Sequence, residues 1–294
     1  MKNVSESSDF YRSAEPQLFE FSDASIAVRK FGNGPALLLI HGFPLHGATW
    51  RKILPSLSEK YSCYVVDLPG LGDSHWSEET DFSFPAHAAR LSRLLDLLNI
   101  DRCHVIAQNT GATIARCLAL LEKERVRSLI LINTELPNHR PPWIPLHQQL
   151  LRLPGAVLNF RILLRLPLFL RSSMAFGGSF CDLDSIQGEF HRLFIRPLIK
   201  SQNKASGMVS YLKGVSWQIV DGMAYWHQAM TMPVRLVWGE LDPTFPISRA
   251  AKLREQFPNC DAIVAIQNSK LLPHEERPDQ TLAAIQPFLE KHAR

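Results

Sequence analysis

The sequence predicts an α/β fold in which a mostly parallel, twisted sheet carries helices on both faces. Two observations lead to this prediction. Short apolar runs alternate with longer segments of helical periodicity, and the run 37–40 is apolar at every position. A strand with one face in water alternates apolar with polar residues, so this run indicates a strand buried on both faces. The 294 residues, 46% of them hydrophobic, suffice for a large core and exclude a disordered or fibrous chain.

Each predicted strand is a short apolar run bounded by turn-forming residues, and each predicted helix repeats apolar residues every three to four positions. The strands are expected at 25–31, 36–40, 62–67, 103–107, 128–133, 234–238 and 262–266. The helices are expected at 49–57, 84–98, 110–121, 247–257 and 280–291.

The alternation of strands and helices stops after Glu135 and resumes at Val234. Between them lie apolar pieces broken by proline, such as the sequence Leu-Pro-Leu-Phe-Leu that ends at Leu170. Proline interrupts helices, so these pieces predict several short helices. We therefore expect an inserted helical cap over residues 137–232, and a core built from residues 1–136 and 233–294.

Cysteine usage and the N-terminal residues favour a reduced, cytoplasmic protein. The five cysteines are odd in number, widely spaced and free of CxxC patterns, which argues against structural disulfides and metal sites. Residues 1–17 are polar and lack the apolar core of a signal peptide. Every run of 18 residues that is otherwise apolar carries a charge, so no integral membrane association is expected.

The formal net charge of +4 is concentrated in one segment. Between His139 and Lys204 there are nine Lys and Arg residues against three acids. Solvated helix faces explain such a run, but an anionic substrate, an acidic carrier protein or a membrane surface explains it as well. No nucleic-acid recognition motif accompanies the charge, so nucleic acid is not an expected partner. The oligomeric state is not predictable.

Several short motifs follow the predicted strands in a fixed order, at the edge where parallel strands end. They are His41-Gly-Phe-Pro, Asp67-Leu-Pro-Gly-Leu-Gly-Asp-Ser, Gln108-Asn-Thr-Gly-Ala, Val237-Trp-Gly-Glu-Leu-Asp-Pro and His274-Glu-Glu-Arg-Pro. The third lies between a strand and a helix, with small flanking residues, where a nucleophile elbow is expected. Over residues 18–292 the chain resembles the α/β-hydrolase superfamily, and most of all its haloalkane dehalogenase and epoxide hydrolase branch.

The resemblance places the nucleophile of that branch, an aspartate, on Asn109 and its catalytic histidine on Leu271. A carboxamide is a poor attacking group and does not readily form the ester intermediate that aspartate forms. Leucine cannot take a proton from water. The neighbour of the nucleophile is Thr110, where dehalogenases of the branch carry a halide-holding residue, so dehalogenation is not favoured.

The resemblance also implies an oxyanion hole made by the backbone N–H groups of Phe43 and Thr110, which we expect to be independent of the Asn109 side chain. Glu135 and Asp242 occupy the two positions at which the branch places its acid. Either acid is a candidate proton carrier, since an apolar pocket raises the pKa of a carboxyl group. Each is alternatively a residue that caps the loop after its strand.

Other side chains are candidates for the missing base or for substrate binding, because they follow the predicted strands or belong to the cap. His274 is the candidate base, although a loop position three residues beyond Leu271 points it elsewhere unless the loop is rebuilt. His41 has a structural hydrogen bond as its alternative role. The candidate substrate contacts are His41, Phe43, His46, Thr110, Trp143, Trp226 and His227.

These expectations favour an enzyme that binds a hydrophobic carbonyl compound and assists elimination, isomerisation or cyclisation without a covalent intermediate. Asn109, Glu135, Asp242 and His274 would carry that chemistry, without a metal or cofactor, since no nucleotide-binding motif lies in a strand–helix context. Two alternatives stay open. One is a hydrolase of esters, epoxides or haloalkanes in which Asn109 replaces the aspartate; the other is a ligand-binding protein without turnover.

Overall fold

The computed structural model describes residues 4–293, and within them eight strands form a single sheet. The strands are β1 Gln17–Glu20, β2 Ser25–Phe31, β3 Ala36–Ile40, β4 Ser62–Asp67, β5 Cys103–Gln108, β6 Val126–Ile132, β7 Val234–Gly239 and β8 Val264–Ile266. Their spatial order is β1-β2-β4-β3-β5-β6-β7-β8. β1 pairs antiparallel with β2 at one edge, and β2 pairs antiparallel with β4. The six strands β3 to β8 run parallel to one another.

The central position of β3 follows from its composition. Leu38 aligns with Tyr64 of β4 on one side and with Val105 of β5 on the other. The side chains of residues 37–40 are fully buried, as the uninterrupted apolar run predicted. Because β3, β5, β6, β7 and β8 are parallel, the loops that follow them meet at one edge of the sheet.

Within residues 4–293, seven α-helices lie outside the segment between β6 and β7. They are α1 Val4–Arg12, α2 Leu54–Ser58, α3 Phe84–Leu97, α4 Thr110–Leu121, α12 Ile247–Arg254, α13 Pro273–Glu276 and α14 Pro278–Lys291. A 3₁₀ turn, Gly47–Trp50, precedes α2. Between β6 and β7 lies a helical segment, residues 133–233, which we call the insert. Its helices are α5 Trp143–Leu150, α6 Ala156–Leu163, α7 Pro167–Leu170, α8 Gly188–Phe190, α9 Arg196–Lys200, α10 Gln202–Gly214 and α11 Trp217–Trp226.

The differences from the predicted elements lie at short or irregular segments. The predicted helix 49–57 is a 3₁₀ turn followed by α2, because Pro55 starts a new helix at its second residue. β1 was not predicted, since its four residues are mostly exposed at the sheet edge and lack an apolar pattern. The last strand is shorter than the predicted 262–266. The boundary of core and cap at residues 137–232 stays a prediction.

None of the helices within residues 4–293 has both the length and the apolar character that a bilayer-spanning helix needs. In the same residues, no three His, Cys, Asp or Glu side chains are grouped so that they could hold a metal ion.

Candidate active site

The turn between β5 and α4 holds Asn109 in a strained conformation, with φ 51° and ψ −130°. Asparagine tolerates positive φ better than most residues. The backbones around the turn approach so closely that side chains are excluded at two positions. A Cβ on Gly111 would lie 2.1 Å from the carbonyl oxygen of His41, and one on Gly42 would lie 2.7 Å from the carbonyl oxygen of Gln108. This sharp strand–turn–helix geometry is that of a nucleophile elbow.

The amide of Asn109 faces the backbone of the loop after β3. The N–H of Phe43 donates to Oδ1 of Asn109 over 3.1 Å and to Oγ1 of Thr110 over 3.0 Å. The hydroxyl of Thr110 also exchanges a 2.9 Å hydrogen bond with Tyr211 of α10, which is buried in the insert. The expectation that the Phe43 donor is independent of the Asn109 side chain is therefore wrong, because that side chain occupies the donor.

Leu271 lines the same cavity as Asn109, from the loop after β8. Its carbonyl oxygen accepts a 3.2 Å hydrogen bond from Nε2 of Gln108, the residue before the elbow. The position that would hold a proton acceptor beside the elbow therefore presents an isobutyl group. Neither Asn109 nor Leu271 can perform nucleophilic attack or proton transfer.

Asp242 follows β7 and is buried outside the cavity wall. Its Oδ2 accepts a 2.7 Å hydrogen bond from Nδ2 of Asn133, and its Oδ1 accepts one of 2.8 Å from the N–H of Thr244. Burial raises its pKa to about 7, and these hydrogen bonds only partly oppose that rise. Asp242 thus holds the β6 and β7 loops together, and no histidine partners it among the residues described.

Glu135 follows β6 and is the carboxylate in the wall of the cavity. It is only 2% exposed. Its Oε2 accepts hydrogen bonds from the hydroxyls of Thr113, at 2.7 Å, and Thr134, at 3.1 Å. Burial raises the pKa of Glu135, while these hydroxyls and the charge of Arg116 act in the opposite direction.

Arg116 is a functional candidate that the sequence reasoning missed. It lies on α4, is fully buried, and donates through Nη2 to the hydroxyls of Thr113 and Thr134 and to the carbonyl oxygen of Glu135. Burial lowers its pKa to about 10, partly offset by the charge of Glu135. The sequence did carry a signal for Arg116: it is the one charged residue in the predicted helix 110–121, and a buried charge needs a buried partner.

Several predicted site residues lie away from the cavity. His274 is fully buried against Trp50, and its Nε2 lies 2.7 Å from Oγ1 of Thr49. Burial lowers its pKa to about 4, so it stays neutral. The expectation of His274 as a base is corrected, because α13 turns its ring into the core.

His41 and His46 also have structural contacts instead of a substrate-facing position. His41 accepts a 2.9 Å hydrogen bond at Nε2 from the N–H of Leu68, which joins the loops after β3 and β4. His46 begins the 3₁₀ turn and reaches the carbonyl oxygen of Leu193 in the insert over 3.2 Å. Neither lines the cavity.

The predicted contacts at the end of the insert are corrected in the same way. His227 is buried, with Nδ1 2.8 Å from Oε1 of Gln256 and its ring stacked on Phe257. Trp226 is partly exposed, and neither residue lines the cavity. Trp226 ends α11, and His227 begins the 3₁₀ turn that follows it.

The cavity itself lies between the elbow and the insert, and holds about 1150 Å³ of empty space counted to its open mouth. Phe43, Thr110 and Trp143, all predicted contacts, line it. Most of its wall is apolar, including Leu151, Phe160, Leu164, Phe176, Met208 and Leu212. One ionisable group was missed, His147 of α5, whose pKa burial lowers. Such a wall fits a hydrophobic ligand with few polar groups.

The chain belongs to the α/β-hydrolase fold family, whose profile matches residues 35–278. It is 28% identical, over 90% of its length and 99% of the relative, to a pimeloyl-[acyl-carrier protein] methyl ester esterase of Aeromonas hydrophila. It is 24% identical to human epoxide hydrolase 4, over 88% of this chain and 74% of that protein. A thermophilic esterase of Thermogutta terrifontis has the same fold, with a TM-score of 0.77 and 21% identity over 96% of this chain and all of the esterase.

These relatives correct the expected chemistry. Elimination, isomerisation or cyclisation was favoured because the nucleophile and histidine positions lack reactive groups. Two relatives that align over 90% of this chain and 99% of their own length are instead named as ester hydrolases. The non-hydrolytic interpretation is therefore wrong, and the comparisons favour the hydrolase alternative.

Proposed function

We propose that the protein hydrolyses esters of hydrophobic acyl groups by direct attack of water, without an acyl-enzyme or alkyl-enzyme intermediate. The observation that carries the proposal is the place of Glu135. It is a buried carboxylate in the cavity wall, tied to the elbow through Thr134, whose hydroxyl lies 3.1 Å from both Oε2 of Glu135 and the carbonyl oxygen of Asn109. A base is thus held beside the elbow although Leu271 supplies none.

The reaction uses Glu135 as a general base. Glu135 takes a proton from a water molecule as the water oxygen bonds to the ester carbonyl carbon. The electron pair of the C=O bond moves onto oxygen, where the N–H groups of Phe43 and Thr110 stabilise it. The tetrahedral intermediate then expels the alkoxide, which recovers the proton from Glu135, and the products are a carboxylic acid and an alcohol.

The ester carbonyl must displace both Oδ1 of Asn109 and Oγ1 of Thr110 from the N–H of Phe43 in this mechanism. Each donor to a developing oxyanion contributes about 2.7–4 kcal/mol in comparable sites, which exceeds the roughly 1 kcal/mol of an ordinary neutral hydrogen bond. The exchange is therefore favourable in the transition state. It is less favourable in the ground state, where the carbonyl oxygen carries little charge.

The apolar wall of the cavity supports an acyl chain as the part of the substrate that is bound there. A pimeloyl ester on a carrier protein is the substrate in the names of several relatives. An acidic carrier protein that delivers the acyl group to the basic insert is one form of the proposed substrate, and a free small-molecule ester is the other.

The hydrogen bond from Phe43 to Asn109 favours a second candidate, a protein that binds an acyl ligand without turnover. In that case the amide keeps the donor occupied, and Glu135 only neutralises the buried charge of Arg116. Hydrolysis separates the two candidates, because a binding protein returns its ester unchanged.

The test is the hydrolysis of p-nitrophenyl esters of increasing acyl length by the protein, by Glu135→Gln and by Glu240→Gln. Glu240 is an exposed residue after β7 and is the matched control. We expect kcat/KM to rise with acyl length, and to fall by about 10²–10⁴ in Glu135→Gln alone, as the loss of a general base requires. Equal rates for Glu135→Gln and the control would refute the role of Glu135, and recovery of intact, bound ester from the unchanged protein would favour the second candidate.

A further inference from the structure

The outer surface of the insert is unusually apolar. Eight of the fourteen large hydrophobic side chains that the described residues expose lie between residues 146 and 168. Leu168 is 87% exposed, and Leu153 and Leu158 are each 59% exposed. We call the exposed aliphatic side chains of residues 146–168 the insert patch. Scattered single leucines are normal on a surface, whereas concentration in one segment marks an interaction site.

The two helices behind the patch are apolar on both faces. In α5, Trp143 and Ile144 line the cavity while Leu146 and Leu150, four residues apart, are exposed. In α6, Phe160 lines the cavity while Leu158 and Ile162, again four residues apart, are exposed. Each apolar face of a helix is stable only when it is covered. The cavity and the core cover the inner faces, and no element within residues 4–293 covers the outer faces.

The charge of this segment has one sign. Residues 141–181 contain four arginines and no aspartate or glutamate. Arg171 pairs with Asp184, and Arg161 donates to the carbonyl oxygen of Ile199. Arg152 and Arg165 are exposed and, among the residues described, have no ion pair.

Because exposed leucines and unpaired arginines lie in the same segment, we propose that the insert patch binds the surface of an anionic lipid bilayer. The leucines would lie among the acyl chains, and Arg152 and Arg165 at the headgroups. Apolar side chains interleaved with basic ones are the pattern of helices that lie in a membrane interface. The patch surrounds the same helices that line the cavity, so docking would bring the cavity close to the bilayer.

Charge and composition favour a bilayer over the other candidate occupants. A second copy of the chain would place unpaired arginines of the same sign against one another across a symmetric contact. An acidic carrier protein would pair with the arginines, but a specific protein interface is enriched in aromatic anchors. The patch offers aliphatic side chains alone, which suit a fluid surface that needs no shape complementarity.

The test is co-sedimentation of the full chain with vesicles of phosphatidylcholine, alone or mixed with phosphatidylglycerol, in the absence of any ester. We expect binding to the mixed vesicles. Arg152→Gln/Arg165→Gln should weaken this binding by about thirtyfold, because each of the two arginines contributes about 1 kcal/mol near an anionic surface. Arg249→Gln/Lys252→Gln, which removes two exposed charges from α12, should leave it unchanged.

Leu158→Ser/Leu168→Ser should weaken binding by roughly tenfold or more, because two apolar side chains no longer insert. Leu97→Ser/Leu121→Ser, which alters two exposed leucines of α3 and α4, is the control. Absence of binding to mixed vesicles would overturn the proposal, as would binding only to a purified acidic acyl carrier protein, or self-association without vesicle binding. Since no ester is present, these outcomes are independent of the proposed hydrolysis.

Discussion

The backbone N–H of Phe43 donates a 3.1 Å hydrogen bond to Oδ1 of Asn109. The donor is an N–H group, so the atom that faces it must be the amide oxygen and not Nδ2. Oδ1 of Asn109, at the nucleophile position, therefore accepts from the same N–H that stabilises the oxyanion in the proposed reaction. Asn109 competes with the substrate carbonyl instead of attacking it, and this relationship leads to the predictions below.

The first prediction concerns the restoration of a covalent reaction. In Asn109→Asp, a carboxylate faces the ester, epoxide or haloalkane, but Leu271 supplies no imidazole for the water that would release the product. The prediction takes Glu135 to activate water beside a substrate carbonyl, and not water beside the ester formed on Asp. We expect an epoxide or haloalkane to leave this variant with a stable mass increase, measured on the intact protein.

Adding Leu271→His to the same variant should release that intermediate, because an imidazole can then take a proton from water. The double variant is expected to turn over substrate while the single variant is modified only once. If Asn109→Asp alone turned over as fast as the double variant, Glu135 would serve this step as well, and the need for an imidazole at position 271 would be refuted.

The second prediction concerns the pH dependence of hydrolysis. A general base acts when deprotonated, so activity is lost as pH falls through the pKa of Glu135. Burial raises that pKa. The acid limb, the pH at which kcat falls on the acid side, should therefore lie above the usual pKa range of a glutamate. Thr113→Val removes a hydroxyl that lowers the pKa, and should move the limb to higher pH.

Thr281→Val is the control for this experiment. Thr281 is buried, and its hydroxyl has no hydrogen-bond partner among the residues described, so its loss should not shift the limb. A limb that moves equally in both variants, or moves to lower pH in Thr113→Val, would contradict the assignment of the limb to Glu135.

The third prediction concerns acid stability. Glu275 of α13 is fully buried, and burial alone would raise its pKa; the charges of Arg51 and Lys52 outweigh burial and lower it from 4.5 to about 2. A lowered pKa stabilises the fold above pH 4.5, and this contribution is lost as pH falls from about 4.5 to 2. The shift corresponds to roughly 3 kcal/mol of unfolding free energy.

Urea unfolding at a series of pH values measures this contribution. Glu275→Gln should be less stable than the unchanged protein at pH 7, and the difference should shrink as pH falls. The exposed Glu240→Gln should show no such dependence. A constant deficit in Glu275→Gln over the whole pH range would show that packing, and not the ion pairs with Arg51 and Lys52, stabilises this loop.

The sequence was sufficient for seven of the eight described strands, because those strands carry their own signal. The buried run 37–40 and the small residues around Asn109 identified the central strand and the elbow without any coordinates. The prediction that Leu271 faces the elbow rested on register within a resembled motif, and the structure places both residues in one cavity. Strand β1 was missed because an exposed edge strand has no apolar period.

The site was less predictable because loop direction and buried partners leave little trace in a sequence. His274, His41 and His227 have the right residue type, but each ring is turned toward the core by the element that carries it. The pairing of Arg116 with Glu135 joins a helix to a loop 19 residues later. Such contacts depend on the packing of α4 against β6, which periodicity does not reveal.

The most direct test of hydrolysis without a covalent intermediate is the steady-state rate of Asn109→Ala on a p-nitrophenyl acyl ester. Alanine removes one of the two acceptors of the N–H of Phe43, since the hydroxyl of Thr110 remains, and it cannot attack a carbonyl. The account predicts that kcat/KM stays within a few-fold of the unchanged protein, or rises. A fall to the rate of the ester in buffer would contradict it, because the side chain of Asn109 would then be required for the reaction.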